Sequence, residues 1–418
     1  MTTLLAIGDM HLGRLPAALP ESLADQRRAL GPATAWNAAI DQALKRRVDA
    51  VLLAGDVVER GRDFFVAYGE LKAGVERLAA ADIPIIAVAG NHDTHVLPRL
   101  AAEIRQLELL GADGHWQRRA LADVEIVGWS FPQPQVRTSP LASFPAIDSD
   151  LPLIGLLHCD RDQAGSPYAP VSSSELEAAP VAAWLLGHIH QPDELGKGRP
   201  IGYLGSISAL RASETGSRGP WLLSISEGKL KFEHLPLAPL RYDRLPVDIS
   251  ELDDVANCPG LVASAARDHL LALKQRGIVP EALGLRVVLI GRSAQARHVP
   301  AVAQQMIDGA EAWRESGVNC FIDRIDVAVQ PALDLARLAA QSDPAGLLAQ
   351  RLLILRGQDD AARQALLGEH RERLQTLAEG REFRELDWRM DDDTIAEYLE
   401  RAALLTLSRL LAQREQGR

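Results

Sequence analysis

The chain has 418 residues, of which 47% are hydrophobic and 24% charged, a composition typical of a globular protein with two or three domains. Its apolar runs fall short of the roughly 20 residues that span a bilayer, and its first residues lack the basic start and apolar core of a secretion signal. These features exclude a transmembrane protein and favour a cytoplasmic location without membrane association.

The charge and the cysteines narrow the class further. A formal net charge of −11 excludes binding to nucleic acid through overall positive charge. It leaves open a nucleic-acid substrate, because two divalent cations or a local basic patch can supply positive charge where a phosphate binds. The three cysteines are too few and too scattered for a disulfide framework or a zinc ribbon, and we expect Cys159 to be a buried packing residue.

Five apolar runs in the first half of the chain end in side chains that commonly bind metals. These side chains are Asp9 with His11, Asp56, Asn91, His158, and His188 with His190. Helices predicted over 33–47 and 63–81 alternate with the first three runs, which indicates a parallel α/β sheet. Because parallel strands end at one edge of a sheet, we expect these side chains to converge. One such ending alone is explained as well by a turn or an ordinary histidine, but the repetition favours a metal site.

Other residues of this half have less specific patterns. The stretch 130–152, rich in Pro and Ser, is a candidate substrate-facing loop or a simple surface crossing. The stretch 160–174 is predicted to be a second polar loop. His95 and His115 end no strand pattern, so we expect neither to bind a metal.

The sequence pattern changes near residue 241. A β-α-β-α-β pattern follows, with strands over 241–249, 285–290 and 319–329 and helices over 261–276 and 299–315. Since it holds no cluster of metal ligands, it predicts a small second domain.

The last stretch is predicted to be helical over 347–355, 361–377 and 394–413. Its final helix is apolar enough to be a docking surface, although packing within its own domain explains the pattern equally well. The predicted domains are therefore 1–240, 241–330 and 331–418.

The candidate ligands form a mixed nitrogen and oxygen set of seven residues. Seven ligands exceed what one tetrahedral zinc takes, and the carboxylate of Asp56 could bridge two ions. Imidazoles argue against calcium and magnesium, and the lack of thiolates argues against a soft metal, so manganese, iron or zinc remain. Two such ions polarise a phosphoryl group, activate water and hold the entering and leaving oxygens, which points to phosphoester hydrolysis.

His92 is left over once Asn91 is counted as a ligand. An imidazole with a pKa near 6.5 is suited to protonate a leaving alkoxide. Asp93 could orient His92 or its loop for catalysis, and a loop-capping role is the alternative.

In order and residue type, these motifs resemble those of the calcineurin-like metallophosphoesterases, and in particular the bacterial DNA repair exonucleases of the SbcD and YhaO type. The resemblance covers about the first 240 residues. The stretches that carry it are Gly8-Asp9-Met10-His11, Gly55-Asp56, Gly90-Asn91-His92-Asp93, His158 and Gly187-His188-Ile189-His190.

The resemblance implies an α/β fold: a four-layer α-β-β-α sandwich with a small α/β cap domain and a helical C-terminal tail. It further implies that DNA is the substrate and that the site binds two divalent ions, with manganese as the first candidate. The implied partner is an SbcC-like coiled-coil ATPase that docks on the tail, and a homodimer is possible. His92 would protonate the leaving 3′ oxygen. The implied ligand sets are Asp9, His11, Asp56 and His190 for one ion, and Asp56, Asn91, His158 and His188 for the other.

One motif departs from the family pattern. These nucleases commonly carry another Asp shortly after the second Gly-Asp, where this chain has Val57-Val58-Glu59-Arg60. Two alternatives to a DNA exonuclease stay open: a phosphatase or phosphodiesterase for a small metabolite or cyclic nucleotide, and a catalytically silent scaffold that binds DNA ends or the ATPase.

Overall fold

A computed structural model describes residues 1–17, 19–196, 200–309, 311–357, 360–378 and 391–416. The part of the predicted tail at 379–390 lies outside the described residues. The strands are β1 Thr2–Ile7, β2 Ala50–Ala54, β3 Ile85–Val88, β4 Leu107–Leu109, β5 Gln117–Leu121, β6 Val124–Trp129, β7 Leu153–His158, β8 Ala183–Gly187, β9 Ile201–Tyr203, β10 Trp221–Ser226, β11 Lys229–His234, β12 Leu240–Asp248, β13 Ala282–Ile290, β14 Arg292–Ser293, β15 Trp313–Glu315, β16 Val318–Val327 and β17 Gln330–Pro331. The helices are α1 Pro32–Arg46, α2 Phe64–Ala79, α3 Leu97–Glu103, α4 Ser173–Ala178, α5 Cys258–Gln275, α6 Val299–Asp308, α7 Leu335–Ala339, α8 Pro344–Arg356, α9 Asp360–Ala378 and α10 Asp392–Gln416.

Two sheets form the centre of the N-terminal part of the chain. The first has the strand order β11-β10-β1-β2-β3-β4, with β1 to β4 parallel and β10 antiparallel to β1. The second has the order β5-β6-β7-β8-β9 and is parallel except for β5. Buried side chains of both sheets share one core, in which Leu52 and Val88 lie with Ile126 and Leu156. The two sheets therefore stack face to face.

Each sheet is covered on its outer face. Helices α1, α2 and α3 pack on the first sheet through side chains such as Trp36 and Leu71. The second sheet is covered by α4 and by the irregular stretch 130–152, whose Phe131 and Phe144 pack near Trp184. This arrangement confirms the predicted α-β-β-α class, with a fourth layer that consists of one short helix and a packed loop.

Helices α1 and α2 approach each other closely at Gly74. A Cβ atom on Gly74 would lie 2.3 Å from Cδ1 of Ile40 and 2.6 Å from Nε1 of Trp36. The indole N–H of Trp36 donates to the carbonyl oxygen of Glu70 at 3.2 Å, so its one polar atom is satisfied although the side chain is fully buried. A glycine at this point lets α2 lie against the α1 side chains.

A third sheet, of order β12-β13-β16-β15, follows in the chain. Its residues Tyr242 and Phe321 share a buried core with Leu23 and Leu30. The predicted helix over 299–315 is wrong in its second half, because α6 ends at Asp308 before a glycine and β15 pairs antiparallel with β16. Pairing with a neighbouring strand overrides the local helical pattern there.

The chain divides into two compact units. The first comprises residues 1–247, 259–289 and 303–326, and the second comprises 248–258, 290–302 and 327–418. In the second unit, α8 and α10 pack together through Ala349, Leu352 and Leu407, so a helical C-terminal region is present. The domain boundaries at 240 and 330 stay a prediction. Among the described residues, no helix is both long and apolar enough to cross a membrane.

Candidate metal centre

The predicted ligands lie where strands of the two stacked sheets end. Asp9 and His11 follow β1, Asp56 follows β2 and Asn91 follows β3, while His158 ends β7 and His188 and His190 follow β8. Three groups of possible ligand atoms result among the described residues, each with its atoms within 4.8 Å of one another. Two of them contain predicted ligands only, and these two clusters are Asp9, His11 and His190, and Asp56, His158 and His188. The third group is His11, Glu59 and His92.

In the first cluster the side chains converge on one point. Nε2 of His11 lies 3.0 Å from Nε2 of His190. Asp9 Oδ1 accepts a hydrogen bond from the backbone N–H of His188 at 2.9 Å, whereas the buried Oδ2 of Asp9 has no hydrogen-bond partner among the described residues. An unpaired buried carboxylate oxygen beside two facing imidazole nitrogens fits a divalent cation, which would satisfy all three.

The second cluster also brings imidazole nitrogens and a buried carboxylate together. Nδ1 of His158 lies 3.1 Å from the carbonyl oxygen of Ala54, which can only accept, so Nδ1 carries the proton and Nε2 keeps its lone pair. That Nε2 lies 3.0 Å from Oδ1 of Asn91 and 3.5 Å from Oδ2 of Asp56. Asp56 Oδ2 is also 3.8 Å from Nε2 of His11. Asp56 therefore lies between the clusters, where a carboxylate can bridge two ions.

Two glutamates contact the Nδ1 atoms of His190 and His11. The sequence did not identify either glutamate as part of the site. Glu214 Oε1 lies 2.8 Å from Nδ1 of His190, which fixes Nε2 of that ring towards the cluster. Glu59 Oε2 lies 2.8 Å from Nδ1 of His11, although that N–H does not point directly at the oxygen. This close contact with His11 is the main reason that the pKa of Glu59 is lowered to about 2.

The backbone is strained at the cluster residues. The φ angles are positive at Asp9 (37°), His11 (48°), Asp56 (48°) and His188 (103°). Such conformations cost of order 1–3 kcal/mol each and occur mainly at functional sites. Gly90 is needed for a different reason, because a Cβ atom there would lie 2.2 Å from Oδ1 of Asp56.

Charges within the centre shift several pKa values. Burial raises the pKa of Asp56, but His158, His11 and His92 outweigh that effect and lower it. Burial lowers the pKa of His11, yet the nearby carboxylates, Glu59 first, raise it overall. The pKa of His188 is lowered to about 4, chiefly by burial and then by His158, so this ring is neutral at pH 7, as a metal ligand must be.

His92 lies at the mouth of a cavity beside the clusters. Its backbone N–H donates to Oδ1 of Asp56 at 3.0 Å, and its Nδ1 lies 3.3 Å from the carbonyl oxygen of Glu59. The cavity has a volume of about 370 Å³. It is lined by Glu59, Arg60, Gly61, Asn91, His92, Pro134, Gln135 and Tyr168. Both polar stretches, 130–152 and 160–174, thus contribute to its wall, and a bridge between Val136 and Tyr168 joins them.

Asp93 has a different environment from His92. It is fully buried, and its two carboxylate oxygens accept hydrogen bonds from the backbone N–H groups of Val57 at 2.6 Å and Gly90 at 2.7 Å. These contacts favour the loop-capping alternative for Asp93. His95 and His115 belong to no ligand cluster among the described residues, and Cys159 is a buried free thiol.

The stacked sheets and the two ligand clusters are the features expected of a metallophosphoesterase. Residues 2–192, a little under half of the chain, match the sequence model of the calcineurin-like phosphoesterases. The family implies metal-dependent phosphoester hydrolysis, and together with the clusters it indicates a dinuclear site for divalent ions.

Curated relatives are similar at a lower level. The chain is 26% identical over 226 residues to the uncharacterized metallophosphoesterase YhaO of Bacillus subtilis, covering 51% of this chain and 54% of the relative. It is 26% identical over 280 residues to the DNA double-strand break repair protein Mre11 of Aeropyrum pernix, covering 62% of this chain and 66% of the relative. The match thus spans little more than half to about two thirds of these relatives.

Solved structures are more distant. A dimetal phosphatase from Danio rerio is 14% identical and has a TM-score of 0.36, with 56% of this chain and 95% of the other covered. The calcineurin-like phosphoesterase YfkN from Bacillus subtilis is 12% identical with a TM-score of 0.36, and the match covers 65% of this chain and 98% of the other.

Proposed function

We propose that the chain is a dinuclear-metal-dependent phosphodiesterase that degrades DNA from its ends. The observation that carries this proposal is the position of Asp56 between two ligand clusters, next to a histidine that faces an open cavity. The proposed ligands of one ion are Asp9, His11, Asp56 and His190, and those of the other are Asp56, Asn91, His158 and His188. Manganese is the proposed metal, with iron or zinc as alternatives.

The protein's own residues would supply the proton for the leaving oxygen and hold the proton donor in place. When bound, two such ions polarise the phosphoryl group and make water a better nucleophile. The carbonyl oxygen of Glu59 accepts from Nδ1 of His92, so the ring acts as an acid in its imidazolium form, in which Nε2 also carries a proton. Nε2 gives that proton to the leaving oxygen, and the ring is left neutral with its proton on Nδ1. The side chain of Asp93 holds the β2 and β3 loops together, and so it keeps His92 in place.

DNA is the proposed substrate for two reasons. Two of the relatives that this chain matches are named as DNA double-strand break repair proteins. The cavity at His92 is open and is lined by both an arginine and a tyrosine, which suits a nucleotide with its phosphate and base.

We further propose that the helical C-terminal region docks on a coiled-coil ATPase in the cytoplasm. Large apolar side chains are exposed on its helices: Leu347 is 60% exposed, Leu405 57% and Tyr398 42%. Exposed apolar residues on neighbouring helices are typical of a binding surface for another protein.

Hydrolysis by the purified protein with added manganese tests the proposed activity. The substrates are linear DNA with free ends, covalently closed circular DNA and bis-p-nitrophenyl phosphate, and the control is Asp56→Ala. We expect degradation of linear DNA only from its ends, and we expect Asp56→Ala to abolish it. Turnover of the small ester with DNA untouched, even after the ATPase is added, would instead indicate a phosphodiesterase for a small metabolite.

A further inference from the structure

A second cavity, of about 280 Å³, lies apart from the candidate metal centre. Three arginines from neighbouring strands contribute to it: Arg244 of β12, Arg286 of β13 and Arg324 of β16. The other lining residues are Ser213, Thr215 and Asp326. We call this cavity the arginine pocket. Three guanidinium groups beside two hydroxyl groups are the donor set that binds phosphate oxygens.

The three arginines differ in how far they are neutralised. Arg324 donates to Asp326 Oδ2 from Nε at 3.0 Å and from Nη2 at 2.6 Å. Arg286 Nε lies 3.3 Å from Asp323 Oδ2, yet this buried Nε makes no hydrogen bond among the described residues. Arg244 is exposed and forms no ion pair within the described part of the chain. The three arginines and the two carboxylates of Asp323 and Asp326 together carry a net charge of +1.

The positive charge of the arginine pocket is opposite in sign to the net charge of the chain. The whole chain has a formal net charge of −11, so repulsion would keep a polyanion away from most of its surface. A net charge of +1 complements one phosphodiester group, which carries a single negative charge. The carboxylates of Asp323 and Asp326 fix two of the arginines and prevent an excess of positive charge.

The arginine pocket is connected to the metal centre through one short loop. Ser213 and Thr215 flank Glu214, whose carboxylate lies 2.8 Å from Nδ1 of His190. The next residue, Gly216, donates its N–H to the carbonyl oxygen of Tyr242 at 2.8 Å, two residues before Arg244 in β12. The same loop therefore supports a candidate metal ligand and forms one wall of the pocket.

We propose that the arginine pocket binds a phosphate group of a polynucleotide strand whose end lies at the metal centre. The choice of a polynucleotide rests on the proposed function, whereas the preference for a phosphoryl anion rests on the pocket itself. Guanidinium groups pair with two phosphate oxygens at once, and serine and threonine hydroxyls commonly add hydrogen bonds to the same group. Inorganic phosphate shares this chemistry and is the alternative source.

The main experiment compares the wild-type chain with Arg244→Gln/Arg286→Gln. The control is Lys229→Gln/Lys231→Gln, which removes two exposed positive charges from β11. We expect the pocket variant to hydrolyse bis-p-nitrophenyl phosphate at the wild-type rate, while its KM for a single-stranded oligonucleotide rises about 10-fold. The dependence of log KM on log salt should also weaken by up to about 2, since each lost phosphate contact removes about 1. A KM and a salt dependence equal to those of the control would overturn the proposal.

A second measurement separates failure of the pocket from failure of the proposed function. Inorganic phosphate is titrated into Asp56→Ala protein, with and without the two pocket substitutions, and the melting temperature is followed. If the wild-type chain leaves DNA intact but phosphate stabilises only the protein with an intact pocket, the site binds phosphate and the polynucleotide assignment is wrong. Equal stabilisation of both proteins would reject the phosphate site. Arg244→Gln alone, at an exposed position, repeats both tests should the double variant fold poorly.

Discussion

Three consecutive residues after β3 have different environments, although each carries a functional group. Asn91 directs its amide oxygen at His158, and Asp93 is buried against backbone amides. His92 alone among these three is exposed, and it lines the cavity beside the clusters. At the scale of single residues, His92 is therefore the one of these three side chains that can reach a substrate from the cavity, which is the basis for its proposed role as the proton donor.

The substitution His92→Ala should separate chemistry from metal binding. We expect both metals to be retained, because His92 is grouped only with His11 and Glu59 and is in neither cluster of predicted ligands. Turnover of a simple phosphodiester should fall 10²- to 10⁴-fold through loss of the proton donor. Metal content by elemental analysis and hydrolysis rates measure the two effects. His95→Ala, at an exposed histidine three residues later, is the matched control. Full activity of His92→Ala would remove this residue from the mechanism.

The sequence predicted the convergence of the seven candidate ligands, but it did not predict the two glutamates that contact the ligand histidines. Each ligand ends or follows a strand, and the position of a strand end in a parallel sheet can be inferred from an apolar run. Glu214 lies in an irregular loop far from His190 in sequence, so no local pattern indicates its contact. Glu59 had one signal, since it stands where the family motif commonly differs, but its distance from His11 could be known only from the fold.

At the scale of elements, the packing of α1 on α2 depends on one glycine of α2. Gly74→Ala would improve helix propensity by about 1 kcal/mol, but its methyl group would meet Trp36 and Ile40. Overpacking costs about 1–3 kcal/mol, so we expect a net decrease in the free energy of unfolding. Gly69→Ala on the same helix meets nothing within 4 Å and should stabilise the protein. Urea unfolding of both variants tests this difference, and equal stability would show that α2 can shift.

Long elements whose apolar residues recur at a regular spacing were easier to predict than short elements. Helix α1 was expected over 33–47 and spans Pro32–Arg46, because its apolar residues recur on one face. The strand β15 has three residues and owes its existence to pairing with β16, which is a contact that no local period encodes. The four layers were predicted from the family resemblance, but the make-up of the fourth layer was not. The stretch 130–152 packs its aromatic residues on a sheet without forming a long element, so no local period indicates its position.

At the scale of the whole molecule, two exposed leucines provide a test of the proposed partner surface. We expect Leu347→Asp/Leu405→Asp to lose association with the coiled-coil ATPase in co-purification, because a carboxylate is costly to bury in an interface. Turnover of bis-p-nitrophenyl phosphate should be unchanged, since both side chains are on the second unit. Leu271→Asp, at a leucine of α5 that is 54% exposed, is the control. Undiminished co-purification would place the ATPase contact elsewhere.

The left-handed backbone at Asp9, His11, Asp56 and His188 has a consequence for the lifetime of the protein. This strain weakens the folded state, and a metal that binds only the folded chain offsets it by about 2.7 kcal/mol for each site at a concentration 100 times its dissociation constant. With the ligands as proposed, a cell short of the metal would hold a chain that opens more often and is degraded sooner. Metal supply would then control the abundance of the protein as well as its catalytic rate.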